Sequence, residues 1–407
     1  MLRRLQVAGF KSIQSAELRL PRLTVLFGAN AAGKSNFLDA IQVLSRLGTE
    51  RTLSDALSDP VRGHTIESFG FPPGGLSSLL AQGEASFLLD ADLSIGKELY
   101  EYRVRVSIQT QSGSLAVADE CLVPLKPKSS PRIEHVDGHL SIRRKSKPGH
   151  PRQEPIGLNH TILSDPRLGG SEYRPIEKCR DELTGWRVYY LDPRVAMRSA
   201  KSPAEVTDIG VLGENIAPFL YRLRAEAPRN FDAIRRTLRS IVPSIQDLQV
   251  DLDTRRGTLD VLIRQDGRDF SSRIVSEGTL RVLALCCIVA NPWGGTLVAF
   301  EEPENGVHPR RLELIAELLI SLAVSQQRQV IVTTHSPLFC EAVLRKGRNA
   351  LSEIALVNVR QTPNGTEMAP FDTSAPLFQE DEILKALASR AEDGVFEALM
   401  LRGLLDG

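Results

Sequence analysis

The sequence predicts an α/β fold in which a mostly parallel core sheet adjoins an antiparallel sheet and a helical lobe. Three observations predict it. Alternating apolar residues over 1–27 and 85–125 indicate antiparallel strands. Apolar runs at Leu23–Phe27, Thr296–Phe300 and Val330–Thr334 indicate buried strands, with helical patterns in the intervening sequence. A glycine-rich loop follows the first run and opens a helix, the order of a strand–loop–helix unit.

Composition narrows the class of protein without naming a partner. The chain has 407 residues, enough to bury a large core without disulfides or metals. Its 50 basic residues equal its 50 acidic ones, so any nucleic-acid affinity requires a local basic patch. Its five cysteines lack Cys-x-x-Cys spacing, which predicts reduced thiols. No apolar run reaches bilayer length and no signal-peptide pattern is present, so we expect a cytoplasmic protein with no membrane partner.

The first motif is Gly28-Ala29-Asn30-Ala31-Ala32-Gly33-Lys34-Ser35, a complete GxxxxGK[ST] between a buried strand and a helix. Its glycines let the backbone curl so that successive N–H groups face phosphate oxygens. Lys34 would reach the β- and γ-phosphates, and the Ser35 hydroxyl would hold Mg²⁺. This motif predicts a nucleoside-triphosphate site.

The second motif is Glu301-Glu302-Pro303-Glu304, which ends the apolar strand Thr296–Phe300. We expect this strand next to the phosphate-loop strand. The first carboxylate would order the Mg²⁺ shell and the second would polarise the attacking water. Many such strands end in Asp-Glu, so the longer arm of Glu301 is expected to reach the metal through water.

Two weaker motifs accompany these. Val330–Pro337 places His335 at the end of a third buried strand, where it could donate to the γ-phosphate or hold Glu302 in place. Ser276-Glu277-Gly278 precedes an apolar helix. It is either an ordinary helix N-cap or, if it faces outward, an anion site for a phosphate bound by a second subunit.

The segments GANAAGKS, SEGTLR, LVAFEEPENGVHP and TTHSP, in that order, resemble the head domains of the SMC, RecF and SbcC group of ABC-type ATPases. The opening LRRLQVAGFKSIQSAELRL is similar to their first hairpin, whose loop approaches adenine and ribose. The likeness is nearest to stand-alone bacterial "predicted ATPases" without a long coiled coil. It covers residues 1–47 and 270–340 with specific motifs and the middle only by strand and helix pattern.

The resemblance implies a P-loop NTPase with ABC-ATPase head architecture, ATP and Mg²⁺ as cofactors, and a homodimer that closes on ATP. It implies Lys34, Glu302 (the general base) and His335 (the switch histidine) as catalytic residues, with Ser35 and Glu301 holding the metal. The implied nucleotide contacts are Lys11, Ser12, Asn30, Ala31, Ala32, Gly33, Lys34, Ser35, Asn36 and, from the partner copy, Ser276 and Gly278. Glu304-Asn305-Gly306 corresponds to the loop where two heads touch.

Departures from the family pattern restrict these expectations. The signature SEGTL differs from the transporter LSGGQ, which argues against a transporter subunit. The glutamine loop has two candidates, Gln82 and the segment 190–194. After His335 no Asp-x-Asp occurs, so the fused nuclease of the OLD group is not expected, and no Asn-Lys-x-Asp follows the P-loop to indicate guanine specificity.

Residues 126–175 are rich in Pro, Gly, Ser and Arg, which predicts a long irregular surface excursion. A basic stretch within it could track a phosphate backbone or be a solvated loop, and it comprises Lys126, Lys128, Arg132, Arg143, Arg144, Lys145, Lys147 and Arg152. Residues 53–83 are expected to form a loop, and helices are expected over 310–324 and after Glu380. A helix in 214–242 is expected to bury Phe231, Ile234, Leu238 and Ile241 on one face and to expose Arg235, Arg236 and Arg239. The predicted regions are 1–125 (P-loop lobe and antiparallel sheet), 126–185 (basic insert), 186–275 (helical lobe and strands), 276–345 (signature, acidic strand and His335) and 346–407 (hairpin and helix).

Two functions remain open from the sequence. The first is a motor or switch acting on double-stranded DNA in repair, chromosome maintenance or anti-phage defence. The second is an ATP-gated scaffold that holds and releases a separately encoded effector protein such as a nuclease or toxin.

Overall fold

The structure is a computed structural model that describes residues 1–126, 129–144, 150–363 and 365–371. Its strands are β1 (Leu2–Phe10), β2 (Ile13–Arg19), β3 (Leu23–Phe27), β4 (Glu84–Ile95), β5 (Glu98–Gln109), β6 (Ser114–Pro124), β7 (Ile133–Val136), β8 (His139–Ile142), β9 (Arg152–Pro155), β10 (Trp186–Tyr189), β11 (Ile245–Asp253), β12 (Thr258–Gln265), β13 (Arg268–Ser271), β14 (Leu297–Glu301), β15 (Gln329–Thr334), β16 (Ile354–Thr362) and β17 (Gly365–Phe371). Its α-helices are α1 (Lys34–Leu47), α2 (Leu53–Ala56), α3 (Gly75–Ala81), α4 (Arg174–Thr184), α5 (Ile216–Glu226), α6 (Pro228–Ile241), α7 (Glu277–Ala290), α8 (Leu312–Ile320) and α9 (Pro337–Lys346).

The core sheet has the strand order β10-β14-β15-β3-β16-β17. Its first five strands are parallel and β17 runs antiparallel to β16, which confirms the predicted mostly parallel sheet. One expectation is wrong: the acidic strand β14 does not adjoin the phosphate-loop strand β3. The histidine strand β15 lies between them and pairs with both, so His335 is placed between the P-loop and the carboxylates.

Alternate residues of the core strands divide the interior into two apolar layers. Leu26, Ala299 and Ile331 pack in the layer shared with α1 and the antiparallel sheet. Val25 and Val332 pack in the layer shared with the helices α5 to α9. Parallel strands covered on both faces are apolar throughout, which is why these three segments were recognisable in the sequence.

The antiparallel sheet has eight strands in the order β2-β1-β4-β5-β6-β7-β8-β9. It confirms the strands predicted before residue 125. The irregular excursion expected after residue 126 is wrong for the described part, because β7, β8 and β9 extend this sheet. Ile133 and Leu140 are fully buried there. Strands of four residues carry too few apolar positions for their alternation to stand out from the polar sequence around them.

Residues 53–83, expected as loop, contain the short helices α2 and α3 as well as a 3₁₀ turn. The helix expected over 310–324 is divided into a 3₁₀ turn, α8 and a π-helical turn. The predicted C-terminal hairpin is confirmed by the pairing of β16 with β17, although Asn364 at its turn lies outside the described residues. The helix predicted after Glu380 also lies outside them.

The helical lobe packs α5, α6 and α7 with the three-stranded sheet β11-β12-β13. As the spacing predicted, α6 buries Phe231, Ile234, Leu238 and Ile241 on one face. Helix α7 begins after Ser276, whose hydroxyl accepts the Thr279 N–H at 3.2 Å, an N-cap bond. Among the described residues, no helix is long and apolar enough to cross a membrane.

Candidate functional site

The phosphate loop curls between β3 and α1. Gly33 has φ 102°, and a Cβ there would lie 2.1 Å from Oγ1 of Thr366 on β17, so both its conformation and its surroundings require glycine. Lys34 is 5% exposed, and its Nζ donates to the carbonyls of Gly28 (2.8 Å) and Ala29 (2.7 Å). Burial lowers the pKa of Lys34, an effect that the charges of nearby carboxylates oppose. The ammonium is therefore held inside the loop, where a phosphate oxygen would compete with these carbonyls.

A cavity of about 380 Å³ opens at the carboxyl ends of the core strands. The loop residues from Asn30 to Asn36 line one side of it, and Glu301 and Glu302 line the other. The fold thus brings together, in one cavity, the P-loop residues and both carboxylates that the sequence singled out. Such a position, at the carboxyl edge of a parallel sheet, is where α/β proteins bind ligands.

Glu302 and His335 form a pair at this edge. Oε1 of Glu302 lies 2.7 Å from Nδ1 of His335, and the Glu302 N–H donates to the Thr333 carbonyl at 3.0 Å. Glu302 has φ 45°, a left-handed conformation that costs free energy in a residue with a Cβ. The turn after β14 therefore holds this carboxylate in a fixed direction beside the histidine.

The residues expected to hold Mg²⁺ suit that ion. The Ser35 hydroxyl and the Glu301 carboxylate both line the P-loop cavity and both present oxygen. Mg²⁺ in nucleotide sites takes one or two protein oxygens, the rest coming from phosphate and water. Glu301 now accepts a bond from Arg62 at 3.0 Å, so its carboxylate would have to exchange that partner for the metal shell.

Arg62 belongs to a charged cluster that the sequence did not reveal. Its guanidinium bonds both carboxylate oxygens of Asp39, at 3.2 and 3.0 Å, and lies 5.1 Å above the Tyr190 ring. Asp39 is fully buried and also accepts bonds from Lys11 Nζ (2.6 Å) and the Tyr190 hydroxyl (2.6 Å). The sequence offered one signal for this cluster. Asp39 is a charged residue within the apolar sequence of α1, and a buried charge needs partners.

The first hairpin contacts the beginning of α1 next to the P-loop. Asn36 Nδ2 donates to Ser12 Oγ at 2.7 Å, and that hydroxyl lies 2.7 Å from Oγ1 of Thr366. A larger cavity of about 930 Å³ continues from the P-loop past Lys11 and Ser12 towards Phe71 and the β16–β17 hairpin. The participation of Thr366 was missed because it lies more than 300 residues away in the sequence.

Ser276 and Gly278 do not line the P-loop cavity. They line a second cavity of about 730 Å³, together with residues of the loop after β14. Ser276 is exposed, and a Cβ on Gly278 would lie 2.4 Å from the Gly306 carbonyl oxygen. Glycine at this position is therefore explained by close packing of the two backbones. The structure separates the signature from the P-loop within one chain.

Of the two glutamine-loop candidates, the segment 190–194 lies between the P-loop cavity and the signature cavity. Its first residue, Tyr190, contacts Asp39, and its last, Arg194, pairs with Glu277 at 2.9 Å. Gln82 ends α3, is exposed, and lines neither the P-loop cavity nor the signature cavity. Within one chain, the segment 190–194 therefore connects the Asp39 cluster with the signature, and the position of the glutamine loop stays a prediction.

Most described side chains of the basic stretch have acidic partners. Lys126, Arg143, Arg144 and Arg152 form ion pairs with Glu98, Glu134, Glu172 and Glu154 respectively. Lys128, Lys145 and Lys147 lie outside the described residues. Arg235 also pairs, with Asp247, whereas Arg236 and Arg239 are exposed as predicted. Ion pairing within the described part weighs against a track for a phosphate backbone, and Arg152 lies in β9 and not in a loop.

Fold and site together define a P-loop domain that resembles the heads of ABC-type ATPases of the SMC and RecF group. Residues 23–341, more than half of the chain, match the family described as "AAA domain, putative AbiEii toxin, Type IV TA system". The chain belongs to this family.

Two relatives are similar in sequence to this chain over part of their length. The "DNA replication and repair protein RecF" of Paenarthrobacter aurescens (strain TC1) is 30% identical over 97 residues, 24% of this chain and 22% of the relative. The protein of the same description from Clavibacter michiganensis subsp. michiganensis (strain NCPPB 382) is 28% identical over 191 residues, 45% of this chain and 40% of the relative. The chain thus spans less than half the length of these relatives.

A solved structure extends the likeness in fold to most of the chain. The protein described as "Crystal structure of the SmcHead bound to the C-winged helix domain of ScpA" aligns with a TM-score of 0.53, covering 91% of this chain and 98% of that chain. The sequence identity is 15%, so this likeness concerns the fold alone.

Proposed function

We propose that the chain is a Mg²⁺-dependent ATPase in which two copies close around ATP. In this proposal, the Ser276 end of α7 from one copy completes the P-loop cavity of the other. The observation that carries it is the separation of Ser276 from Lys34. The two line different cavities, and Ser276 is exposed, so its cap is available to a phosphate bound elsewhere.

Two exposed apolar residues next to the signature support a second copy as the occupant of this face. Val195 is 72% exposed and Ile274 is 71% exposed, the highest values among the large apolar side chains of the described residues. Their segments are joined, because Arg198 donates to the carbonyls of Arg273 and Val275. Apolar groups beside a polar recognition point are typical of protein interfaces.

The proposed chemistry assigns one task to each residue of the P-loop cavity. Lys34 would stabilise β- and γ-phosphate oxygens, and Ser35 and Glu301 would hold Mg²⁺, which supplies positive charge to the transferred group when bound. Glu302 would accept a proton from the attacking water. His335 would hold the Glu302 carboxylate in direction through their 2.7 Å contact. Hydrolysis would then release the two copies.

The rate of hydrolysis per chain tests this proposal, because a composite site works only when two copies meet. We expect the rate per chain to fall as the protein is diluted below the dissociation constant of the ATP-bound dimer. A rate per chain that stays flat on dilution, while every molecule remains monomeric by mass photometry, would contradict the proposal.

Action on DNA is the first candidate for the output of this cycle, supported by the description of the RecF relatives. Release of an effector protein is the second. The ion pairing of the basic insert and the toxin named in the family description favour it. DNA that raises the ATPase rate, with a steep loss at higher salt, would support the first candidate. An unchanged rate with DNA, together with a co-purifying neighbour-encoded protein, would support the second.

A further inference from the structure

The cavity beside the signature carries two adjacent arginines, Arg310 and Arg311. They follow β14 in a 3₁₀ turn that His308 caps, its Nδ1 accepting the Arg310 N–H at 3.3 Å. Both arginines line the same 730 Å³ cavity as Ser276. Arg310 is exposed and Arg311 is half-buried. Two cations and a helix N-cap therefore share one concave surface.

Neither guanidinium forms an ion pair or a side-chain hydrogen bond among the residues that the structure describes. This distinguishes them from Arg194, which pairs with Glu277 on the other side of the signature. Two neighbouring cations repel each other, and an anion bound between them would relieve that repulsion. The cavity thus presents uncompensated positive charge next to the serine cap.

The position of these arginines relative to Ser276 is fixed by backbone packing. The loop that leads to them touches the signature turn, since a Cβ on Gly278 would lie 2.4 Å from the Gly306 oxygen. A phosphate that enters this cavity at Ser276 therefore meets a surface that Arg310 and Arg311 also line. The two arginines do not line the P-loop cavity of their own chain, because Lys34 lies in a different cavity.

We propose that Arg310 and Arg311 bind the triphosphate held by the P-loop of the partner copy, as a second contact in trans beside Ser276. This proposal rests on the ATP-closed dimer proposed above. Guanidinium groups donate charge-assisted, often bidentate bonds to phosphate oxygens, and in phosphoryl transfer such a group stabilises the charge of the transition state. The two arginines would make closure depend on the full triphosphate charge.

A mixing experiment separates action in trans from action in cis. Three proteins are prepared in the Glu302→Gln background, which is expected to retain ATP: the parent, Arg310→Ala/Arg311→Ala, and Lys34→Ala. With ATP, we expect the parent to dimerise and the arginine variant to dimerise about tenfold or more weakly, while it still binds a fluorescent ATP analogue as a monomer. Lys34→Ala should remain monomeric.

The equimolar mixture of the two variants decides the question. Its heterodimer contains one intact composite site, formed by the P-loop of the arginine variant and the arginines of Lys34→Ala. We expect the mixture to dimerise with one ATP per dimer, although neither variant does so alone at that concentration. A mixture that stays monomeric while the parent dimerises would overturn the proposal. Failure of the parent to dimerise would instead contradict the proposed function.

A matched control variant removes two positive charges from a different part of the molecule. Arg236→Ala/Arg239→Ala deletes two exposed arginines of α6 that have no ion-pair partner among the described residues, and it should dimerise like the parent. If the Arg310→Ala/Arg311→Ala protein dimerises normally but loses affinity for duplex DNA, these arginines serve nucleic acid and the proposal is wrong.

Discussion

Oε1 of Glu302 lies 2.7 Å from Nδ1 of His335, so one carboxylate–imidazole contact joins the ends of the neighbouring parallel strands β14 and β15. When Nδ1 carries the proton it donates to the carboxylate, which leaves Nε2 free to face a phosphate. His335 follows β15, the strand between the P-loop strand and the acidic strand, and Glu302 follows β14. Strand order therefore places the histidine between the phosphate loop and the candidate base.

The Glu302→Gln substitution should slow ATP hydrolysis by about 10²- to 10⁴-fold, because the amide cannot accept the proton of the attacking water. ATP binding should persist, since Lys34 and Ser35 are unchanged. Single-turnover phosphate release together with a nucleotide-binding titration measures both properties. His335→Ala should reduce the rate less, because Glu302 remains. Hydrolysis by Glu302→Gln at the parent rate would show that another group is the base.

The charged cluster predicts a stability difference between two substitutions. Asp39→Ala leaves the Lys11 ammonium and the Arg62 guanidinium without their buried partner, and should lower the free energy of unfolding by about 3–5 kcal/mol. Arg62→Ala leaves Asp39 with Lys11 and Tyr190 and should cost less. Urea unfolding of both proteins measures this. Equal losses for the two variants would contradict the central role of Asp39 in the cluster.

The main motifs of the candidate site were predictable, because each consists of residues that are adjacent in the sequence. The phosphate loop, the acidic strand end and His335 are each continuous segments at the ends of apolar strands, and the structure confirms the strands that carry them. Adjacency between strands is not local. The insertion of β15 between β3 and β14 depends on how the whole chain is wound, so sequence periodicity could not reveal it.

Contacts between distant segments were missed for the same reason. Arg62 lies in a stretch without periodicity, and only the fold brings it to Asp39 and Glu301. Thr366 reaches the phosphate loop because β17, which carries it, pairs with β16, and β16 pairs with β3. The strands β7 to β9 were missed because four residues carry too few apolar positions for their alternation to be recognised.

Glu304 predicts how stability depends on pH. Burial raises its pKa from 4.5 to about 7, while a hydrogen bond with the Thr334 hydroxyl opposes the shift. A carboxyl group whose pKa is raised by folding binds its proton more tightly in the folded state. Stability should therefore be greatest below about pH 4.5 as far as this group is concerned, and should fall as the pH rises to about 7.

The Glu304→Gln protein tests this assignment, because glutamine keeps the shape and does not titrate. Its stability should fall less between pH 4.5 and 7 than that of the unsubstituted protein. Some slope should remain, since burial also raises the pKa of Glu120 to about 7. Melting temperatures across this range measure the difference. Identical slopes would show that Glu304 does not titrate there.

The exposed apolar residues beside the signature predict a selective loss of association. Val195→Asp and Ile274→Asp should each weaken ATP-dependent dimerisation, because a charge would be buried against the second copy. ATP binding by the monomer should not change. Val136→Asp, at the last residue of β7 in the antiparallel sheet and 44% exposed in the parent, is the control and should dimerise normally. Sedimentation velocity at several concentrations measures the association, and a Val195→Asp dimer as stable as the parent would exclude this face as the interface.

The most direct measurement is the mass of Glu302→Gln in solution with ATP, compared with the same protein carrying Ser276→Arg. The composite site predicts a dimer with two bound nucleotides for the first protein. For the second it predicts a monomer that still holds one, since only the cap offered to the other copy is blocked. Lys34→Ala should be monomeric and empty. A Ser276→Arg protein that dimerises on ATP as its parent does, or a parent that binds ATP and stays monomeric, would contradict the account.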